Sequence, residues 1–318
     1  MRIADRIEPD EAWGAEYDAG YDRFRRAFPL WGACLSRVVR MAGVAVCGSV
    51  NMDVFGYVPR LPQPGETLHG SRLAHAAGGK GANQAVAAAR SGATVHFFGA
   101  AGTDAFGDEV VAGLAADGID LAGLRRVDEP TGVALILVED GGENEIVVLA
   151  GANDTVGAPT EAPGDVAVWL TQAEVPVAAV EGTLALARST GATAVINAAP
   201  GGRLPPELVS RFDIAIVNEL ELEGLGDHRP ACVILTLGAG GARILPHGPV
   251  VPAIPADVVD TTGAGDALTG ALVAALAERR SLDDALRWGM AAASLSIERY
   301  GCQPAMPTRA EIGARLRP

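Results

Sequence analysis

The chain has 318 residues, and 39 acidic against 25 basic side chains give it a formal net charge of −14. Such an acidic balance argues against nucleic acid or an anionic membrane as the main partner, although backbone N–H groups can still bind phosphate locally. The hydrophobic fraction of 49% with only 5% aromatics predicts a large globular core built mostly from Ala, Val and Leu.

The four cysteines are scattered along the chain without C-x-x-C spacing, so they predict reduced thiols rather than a zinc site or a disulfide framework. They are Cys34, Cys47, Cys232 and Cys302. No apolar run reaches the length of a membrane span, and residues 1–42 carry charges throughout, which is unlike a signal peptide. We therefore expect a soluble cytoplasmic protein.

Residues 1–42 form an N-terminal extension that differs in composition from the rest of the chain. A stripe of aromatic side chains at helical spacing is formed by Tyr17, Tyr21, Phe24 and Phe28. Pro29 is expected to end or kink this helix. The pattern predicts an amphipathic helix that packs on its own protein or on a second subunit, with no catalytic role assigned.

From residue 43 onward β and α patterns alternate, which predicts a mostly parallel sheet covered by helices on both faces, within one main domain over residues 43–318. The predicted strands are 44–49, 94–98, 166–170, 194–197, 214–217 and 233–237. The predicted helices are 81–91, 106–117, 177–188, 266–279 and 282–298.

Two regions depart from this alternation. Residues 53–76 are extended and rich in turns, and strands 133–138 and 145–149 flank a DGG turn that predicts a hairpin. We expect the regions 53–76 and 131–149 to form a small separate sheet. A sheet hinged over the strand ends is a natural lid that excludes water from a reactive site.

Two glycine-rich segments each precede a helical pattern, GGKGANQ at 78–84 and DTTGAGD at 260–266. The first is not a Walker A loop, because glycine follows Lys80, and it lacks the third glycine of G-x-G-x-x-G. In the second, Gly263 and Gly265 carry no Cβ, so N–H groups at a helix N-terminus can approach an anion closely. From local sequence Asp266 is first an N-cap or first-turn residue of a helix, and alternatively an acid acting beside a bound phosphate.

Together these segments resemble the two motifs of the ribokinase-like (PfkB) carbohydrate kinases, and the resemblance runs in order over about residues 43–308. Further matching segments are SVNMD at 49–53, TGVA at 131–134, GAN at 151–153, QAEVP at 172–176, NAAP at 197–200, NELE at 218–221 and TLGAGG at 236–241. The resemblance implies an α/β fold, a ribokinase-like three-layer α/β/α arrangement with a mostly parallel central sheet and a small β-sheet lid. The details are most similar to the ribose-phosphorylating members.

By resemblance, the chain transfers phosphoryl from ATP to a sugar hydroxyl, with Asp266 as general base and the backbone of Gly263, Ala264 and Gly265 as anion hole. The implied sugar-binding residues are Asn51, Asp53, Gly79, Lys80, Asn83, Glu174 and Asp266. The implied ATP-binding residues are Asn218, Thr236, Gly238, Gly240, Gly241, Gly265 and Met290. The loop is implied to bind sugar through its backbone and Asn83, so a solvent or structural contact is expected for the Lys80 ammonium.

Two cations are also implied. Mg²⁺ would accompany ATP near Asn218 and Glu221, with Glu221 acting through water because Mg²⁺ dehydrates reluctantly. K⁺ would act as an activator behind the anion hole, bound by residues Asp260, Thr262, Ser296, Arg299, Gly301 and Ala305. From sequence alone Asp260 is equally well explained as a turn residue. The resemblance further implies a homodimer joined through the lids.

The chain is shorter than the family pattern in two places. A stretch with proline and glycine replaces a helix between 151 and 166, and only 222–230 remains where another helix is expected. Two alternatives to a ribose kinase therefore stay open. One is a kinase of the same family acting on a nucleoside or another sugar, for which Phe55 and Phe98 are candidate pocket residues. The other is a sugar-binding regulatory protein with weakened turnover.

Overall fold

The structure is a computed structural model that describes residues 43–141 and 143–317. Its strands are β1 Gly43–Cys47, β2 Asn51–Val58, β3 Arg72–Gly78, β4 Val95–Gly102, β5 Asp120–Val127, β6 Gly132–Glu139, β7 Asn144–Leu149, β8 Val166–Gln172, β9 Thr193–Asn197, β10 Ile214–Val217, β11 Cys232–Thr236, β12 Ala242–Leu245 and β13 Val250–Val251. Its helices are α1 Lys80–Arg90, α2 Ala105–Ala116, α3 Val177–Thr190, α4 Pro206–Val209, α5 Glu219–Leu225, α6 Ala264–Ala277, α7 Leu282–Ser296 and α8 Arg309–Arg315. The helix predicted within residues 1–42 lies outside the described residues.

Nine strands form a central sheet in the order β13-β12-β11-β10-β9-β8-β1-β4-β5. All neighbours from β11 to β5 pair in parallel, and only β12 and β13 at one edge are antiparallel. Strands β1 and β10 are buried along their whole length, as expected for parallel strands covered on both faces. The strand and helix alternation predicted from sequence is confirmed.

Two hydrophobic clusters lie on opposite faces of this sheet. Val44 and Val46 of β1 pack in the cluster that includes α1, α6 and α7, while Ala45 and Cys47 pack in the one that includes α3, α4 and α5. Successive strand side chains point to opposite faces, so one strand contributes to both clusters. The predicted three-layer α/β/α architecture is confirmed.

Strands β2, β3, β6 and β7 form a separate sheet in the order β3-β2-β6-β7, here called the lid sheet. Its junction with the central sheet is held by Asn153, whose Oδ1 accepts from the Val50 N–H at 2.8 Å and whose Nδ2 donates to Asn51 Oδ1 at 2.8 Å. The small second sheet expected from the 53–76 and 131–149 regions is therefore present, with its first strand beginning at Asn51.

Several elements were not predicted from the sequence. Strands β5, β12 and β13 lie at the two edges of the central sheet, and helices α4 and α8 are short, with only four and seven residues. Edge strands are half-exposed and short helices span about one or two turns, so neither shows a long hydrophobic period. Their absence from the prediction does not affect the layers.

The two shortened segments have different outcomes. After a 3₁₀ turn over Gly151–Thr155, residues 156–165 form no helix or strand before β8, as the sequence indicated. The second segment keeps the helix α5, seven residues long, because Asn218 and Glu221 form a capping box at its start. This helix ends at Leu225, and the chain reaches β11 at Cys232 without a further helix, so the second segment is also short.

In the described part of the chain, no helix combines the length and apolar character needed to cross a bilayer.

Candidate active site

The polar residues of the matched motifs gather where the central parallel strands end. A cleft of about 190 Å³ opens at this edge, next to the first turn of α6. It is lined by Lys80, Asn197, Ala199, Ile216, Val217, Asn218, Glu221, Thr236, Thr261, Gly263, Ala264, Gly265, Asp266 and Thr269. In parallel α/β sheets ligands bind outside the carboxyl ends of the strands, so this is the expected position for a reactive site.

Asp266 is the third residue of α6, not its cap. The helix begins at Ala264 after Gly263, and the Asp266 side chain accepts from Asn83 Nδ2 at 3.0 Å and from Gln84 Nε2 at 2.8 Å. Both donors lie on α1, more than 180 residues away in sequence. Asp266 therefore has the first-turn position that local sequence indicated and is not the N-cap, and its carboxylate is held by a second helix while remaining 7% exposed in the cleft.

Gly263 makes the turn that starts α6. Its φ of +76° lies in the left-handed region, and a Cβ there would come 2.1 Å from Cys302 Sγ. Among the described residues, no acceptor faces the N–H groups of Gly263, Gly265 and Asp266, while Ala264 N–H makes a long 3.3 Å bond to Thr261 O. Free N–H groups at a helix N-terminus favour an anion, so the turn can bind developing negative charge.

Three carboxylates from three segments, Asp53, Glu174 and Asp266, share this region with a single nearby ammonium group, that of Lys80. Burial, and then the charges of Glu174 and Asp266, raise the pKa of Asp53 to about 7. The same carboxylates raise the pKa of Lys80, with Asp266 the largest contributor. The Lys80 side chain therefore faces the cleft among carboxylates, and the solvent or structural contact expected for its ammonium stays a prediction.

Glu174 fixes the entry of α1 into the site. Its Oε2 accepts from Ser49 Oγ at 2.5 Å and from the Lys80 N–H at 3.0 Å. The second carboxylate oxygen of Glu174 makes no hydrogen bond among the described residues, which leaves it available for a hydroxyl group. Gly79 is the residue that precedes α1 in the same turn.

A second, apolar pocket of about 390 Å³ adjoins the cleft on the other side of the Gly263–Gly265 turn. Thr236, Thr261, Ala264 and Gly265 line both spaces. The rest of the apolar pocket is lined by Gly238, Ala239, Gly241, Ala253, Ile254, Val258, Leu268, Met290, Ala293, Ser294 and Ile297. A polar cleft joined to an apolar pocket across a helix N-terminus fits the phosphates and the base of a nucleotide.

Asn218 and Glu221 face the cleft as a bonded pair. Asn218 Oδ1 accepts from the Glu221 N–H at 2.9 Å, and Glu221 Oε2 accepts from the Asn218 N–H at 2.9 Å. Burial raises the pKa of Glu221, against the opposing effects of Asn218 and the Lys80 charge. One Glu221 oxygen stays free for a hydrated Mg²⁺, an ion that prefers oxygen ligands and keeps several waters, so the residues fit the metal.

Asp260 ties together the two segments expected to surround K⁺. Its Oδ1 accepts from the Thr262 N–H at 2.9 Å and its Oδ2 from the Gly301 N–H at 2.9 Å. Burial opposes ionisation, but these bonds outweigh it and leave the pKa of Asp260 lowered. The turn interpretation of Asp260 is therefore correct. An ionised carboxylate beside the Thr262 and Gly301 carbonyls, which accept no hydrogen bond within residues 43–141 and 143–317, also fits a monovalent cation.

Some predicted residues lie outside both spaces. Asn51 is bonded into the lid junction, and the lining of neither space includes Asp53, Gly79, Asn83, Glu174 or Gly240. The carbonyls of Ser296, Arg299 and Ala305 belong to the segments behind the turn. Phe98 lies elsewhere, since it packs on Trp169 with ring centroids 5.2 Å apart in the other core cluster. Phe98 is therefore excluded as a lid-pocket residue.

Sequence reasoning gave no role to two buried amides near Asp266, those of Gln84 and Gln303. Gln84 and Gln303 are buried, and Gln303 Nε2 donates to Asn83 Oδ1 at 3.1 Å. Gln84 lies inside the GGKGANQ motif, so its position near the site was predictable from sequence. Its contact with Asp266 was not predictable. Gln303 lies in no motif, and no sequence signal marks it.

A carboxylate at a helix N-terminus with free N–H groups, between a polar cleft and an apolar pocket, defines a phosphotransferase that acts on a hydroxyl group. Residues 41–309 match the family model of the pfkB family carbohydrate kinases. The chain belongs to this family.

Relatives support the same assignment. The ribokinase of Haemophilus influenzae is 37% identical over 294 residues, covering 84% of this chain and 96% of that protein. Among solved structures, the Arabidopsis thaliana ribokinase complexed with ribose and ATP has a TM-score of 0.79 at 30% identity, covering 87% of this chain and 99% of that one. The Thermotoga maritima ribokinase also has a TM-score of 0.79 at 30% identity, over 86% of this chain and 99% of that one.

Proposed function

We propose that the protein is an ATP-dependent ribokinase, which converts D-ribose and ATP to D-ribose 5-phosphate and ADP. The observation that carries the proposal is the Asp266 carboxylate, oriented by Asn83 and Gln84 at the free N–H groups of the α6 turn. The named relatives and the ribose-and-ATP complex of a structural neighbour support ribose as the acceptor.

In the proposed reaction, the 5-hydroxyl of ribose gives its proton to Asp266 as its oxygen attacks the γ-phosphate. Asp53, Asn83 and Glu174 orient the sugar through hydroxyl groups. Negative charge that develops on the transferred phosphoryl group is stabilised by the Gly263 and Gly265 N–H groups and by Lys80. This stabilisation needs no reorganisation of the protein, because these donors are already in place before the reaction. Closure of the lid sheet excludes water that would otherwise compete as acceptor.

Mg²⁺ would be held near Glu221 and Asn218, and when bound it neutralises charge on the ATP phosphates.

K⁺ would bind beside Asp260. The predicted outcome is a higher turnover number in potassium than in sodium salts at equal ionic strength, because Asp260 and the backbone of 260–262 and 299–301 brace the turn that carries Gly263. Initial rates in matched KCl and NaCl buffers measure this, and equal rates in both salts contradict the site.

The raised pKa of Asp53 predicts a pH-dependent affinity for ribose. A carboxyl group can accept hydrogen bonds from hydroxyl groups on both oxygens only when it is ionised, and in the empty site Asp53 holds its proton below about pH 7. Ribose should therefore bind about tenfold more weakly at pH 6 than at pH 8. Calorimetric titration at both pH values tests this. In Asp53→Asn the affinity should be lower and independent of pH, and a pH-independent affinity in the wild type contradicts the role.

Homodimerisation through the lid sheets is also part of the proposal. Large apolar side chains are 44 to 76% exposed on this sheet, namely Leu73, Leu135, Ile146, Val147, Val148 and Leu149. Exposed apolar surface of this extent on a sheet with open edges marks an interaction site. Light scattering should report a dimer for the wild type and a monomer for Val147→Asp. The matched control Leu220→Asp, 78% exposed on α5, should stay dimeric. A monomeric wild type contradicts the dimer.

Ribokinase activity is separated from the two alternatives by one coupled assay. ATP consumption is followed with a panel of sugars and nucleosides in potassium and magnesium salts, and D-ribose should give the highest kcat/KM. If a nucleoside or another sugar gave the highest kcat/KM, that compound would be the acceptor instead of D-ribose. Binding of ribose without ATP consumption would favour the regulatory protein.

We place the enzyme in the cytoplasm, which suits its free Cys47, Cys232 and Cys302.

A further inference from the structure

We propose that Gln84 is a positioning residue for phosphoryl transfer, whose side-chain amide fixes the Asp266 carboxylate in the plane needed to receive the hydroxyl proton. The proposal rests on the proposed function, in which Asp266 is the general base. Gln84 itself is fully buried and does not line the cleft, so it acts through Asp266 and touches no substrate.

All hydrogen-bonding groups of the Gln84 side chain are used. Its Nε2 donates to Asp266 Oδ1 at 2.8 Å and to Asn197 Oδ1 at 2.9 Å. Its Oε1 accepts from Gln172 Nε2 at 2.7 Å. A primary amide has two N–H groups and one carbonyl oxygen, so this set leaves no N–H without a partner.

The orientation of the Gln84 amide is fixed independently of Asp266. Asn197 Nδ2 donates to the Ile216 carbonyl at 3.0 Å, and a carbonyl can only accept. Asn197 must therefore present its oxygen to Gln84, and the Gln84 atom that meets this oxygen must be the donating nitrogen. The second N–H of that nitrogen is then directed at Asp266 without any need for the carboxylate to orient it.

The spacing between the two helices is also fixed. A Cβ on Gly270 would come 2.4 Å from the backbone carbonyl oxygen of Gln84, so α1 and α6 are in contact through their backbones at this point. Gly270 follows Asp266 by four residues and lies on the same face of α6. The close contact brings the Gln84 side chain within reach of the carboxylate, and the adjacent Asn83 holds the second oxygen.

The consequence is a base whose direction is fixed in a buried site. Burial and the neighbouring carboxylates disfavour a charged group, while donors aimed at the charged form favour it. Four ionisable groups lie around this carboxylate. They are Lys80 on α1, Asp53 on the lid sheet, Glu174 just after β8, and Cys302 in the loop before residue 303. Lys80 is the only cation among them, so amide donors are the main fixed support for the charge.

The first test is Gln84→Met, which keeps the length of the side chain and removes its donors. A displacement of about 1 Å at a reacting group can cost about a hundredfold in rate, so kcat should fall about 10- to 100-fold. The KM and the calorimetric Kd for ribose should stay within about threefold, because the residue is outside the cleft. Thr171→Val is the matched control, since the Thr171 hydroxyl is also fully buried but has no hydrogen-bond partner among the described residues.

The second variant, Gln84→Glu, gives a pH signature that a purely structural role would not produce. The introduced carboxyl group can donate to Asp266 while protonated and repels it once ionised. Its kcat should therefore decline with rising pH over a range in which the wild-type kcat is flat. Unchanged kcat in Gln84→Met, a loss equal to that of the Thr171→Val control, or a wild-type pH profile in Gln84→Glu overturns the proposal.

Failure of the proposed function is recognised separately. If the wild type consumes no ATP with any acceptor of the panel, the ribokinase assignment fails, and the position of Asp266 in a crystal structure of Gln84→Met decides the present proposal. A carboxylate displaced from its wild-type position supports it, and one that stays in place overturns it.

Discussion

Replacing Asp266 by asparagine should lower kcat for ribose phosphorylation by about a thousandfold and leave ribose binding within a few-fold of the wild type. General base catalysis is worth about 10² to 10⁴ in rate, and an amide of the same shape cannot take up the proton. Binding should persist because Asp53, Asn83 and Glu174 are also proposed to hold the sugar. Initial rates and calorimetric titration of the same preparations measure both quantities.

The asparagine also tests the local hydrogen bonds. Both carboxylate oxygens accept from amide nitrogens, of Asn83 and of Gln84, so an introduced NH₂ group must face one of these donors. We expect a loss of about 1 to 3 kcal/mol in the free energy of unfolding at this contact, offset in part by removal of the buried charge. Asp165→Asn, at the opposite end of the sheet beside His96, is the matched control and should keep wild-type turnover. Wild-type turnover in Asp266→Asn would exclude Asp266 as the base.

The second large effect is expected from Gly263→Ala. A left-handed conformation costs an alanine about 1 kcal/mol or more, and its Cβ would meet Cys302 Sγ at 2.1 Å. The turn must therefore move, and the N–H groups that face the phosphoryl site move with it. Loss of one such donor costs about 10² to 10³ in kcat, so we expect a loss of that size together with a lower melting temperature.

Gly265→Ala is the contrasting variant. A Cβ at Gly265 meets no atom within 4 Å, and the residue is already helical, so the fold should be as stable as the wild type or more stable. Its methyl group would stand in the space shared by the cleft and the apolar pocket, which should raise the KM for ATP. Adding Cys302→Ala to Gly263→Ala should restore part of the stability. A Gly263→Ala enzyme with wild-type rate and melting temperature contradicts the assigned turn.

The sequence predicted the layers of the fold and the segments that meet at the site. Continuous apolar strands such as β1 and β10, alternating with helical periods, indicated a parallel sheet with helices on both faces, because each period reflects burial of a whole element. The extended 53–76 region and the DGG hairpin predicted the lid sheet through their turn residues and not through burial, since every residue of β7 is exposed. Strands β5, β12 and β13 at the edges of the sheet were not predicted, since half-exposed strands have a weaker hydrophobic pattern.

The site was predictable as segments and not as contacts. The turn at Gly263 and the residue Asp266 were visible in the motif as a helix start with an acid at its N-cap or in its first turn. The Gln84 contact that orients Asp266 joins residues 182 apart and was not visible. Side-chain amide bonds have no period and no local composition signal. The same holds for Gln303, which reaches Asn83 over 220 residues, and for the Asp260 bond to Gly301.

The buried carboxylates show what the site costs the fold. Asp53, with a pKa raised to about 7, is ionised above that pH beside Glu174 and Asp266, so its charge opposes folding there. A hydroxyl-rich ligand that donates to these carboxylates would relieve this opposition. The same cluster therefore lowers the stability of the empty protein and provides its affinity for a sugar.

The most direct test of the account is the stoichiometry of ATP consumption with D-ribose. The purified protein is incubated with ATP, Mg²⁺ and K⁺, and the phosphorylated sugar is followed by ³¹P NMR together with ADP. The account predicts one ADP and one ribose 5-phosphate per ATP consumed, with no product when Asp266→Asn replaces the wild type over the same interval. Ribose binding by calorimetry without formation of a sugar phosphate would contradict it.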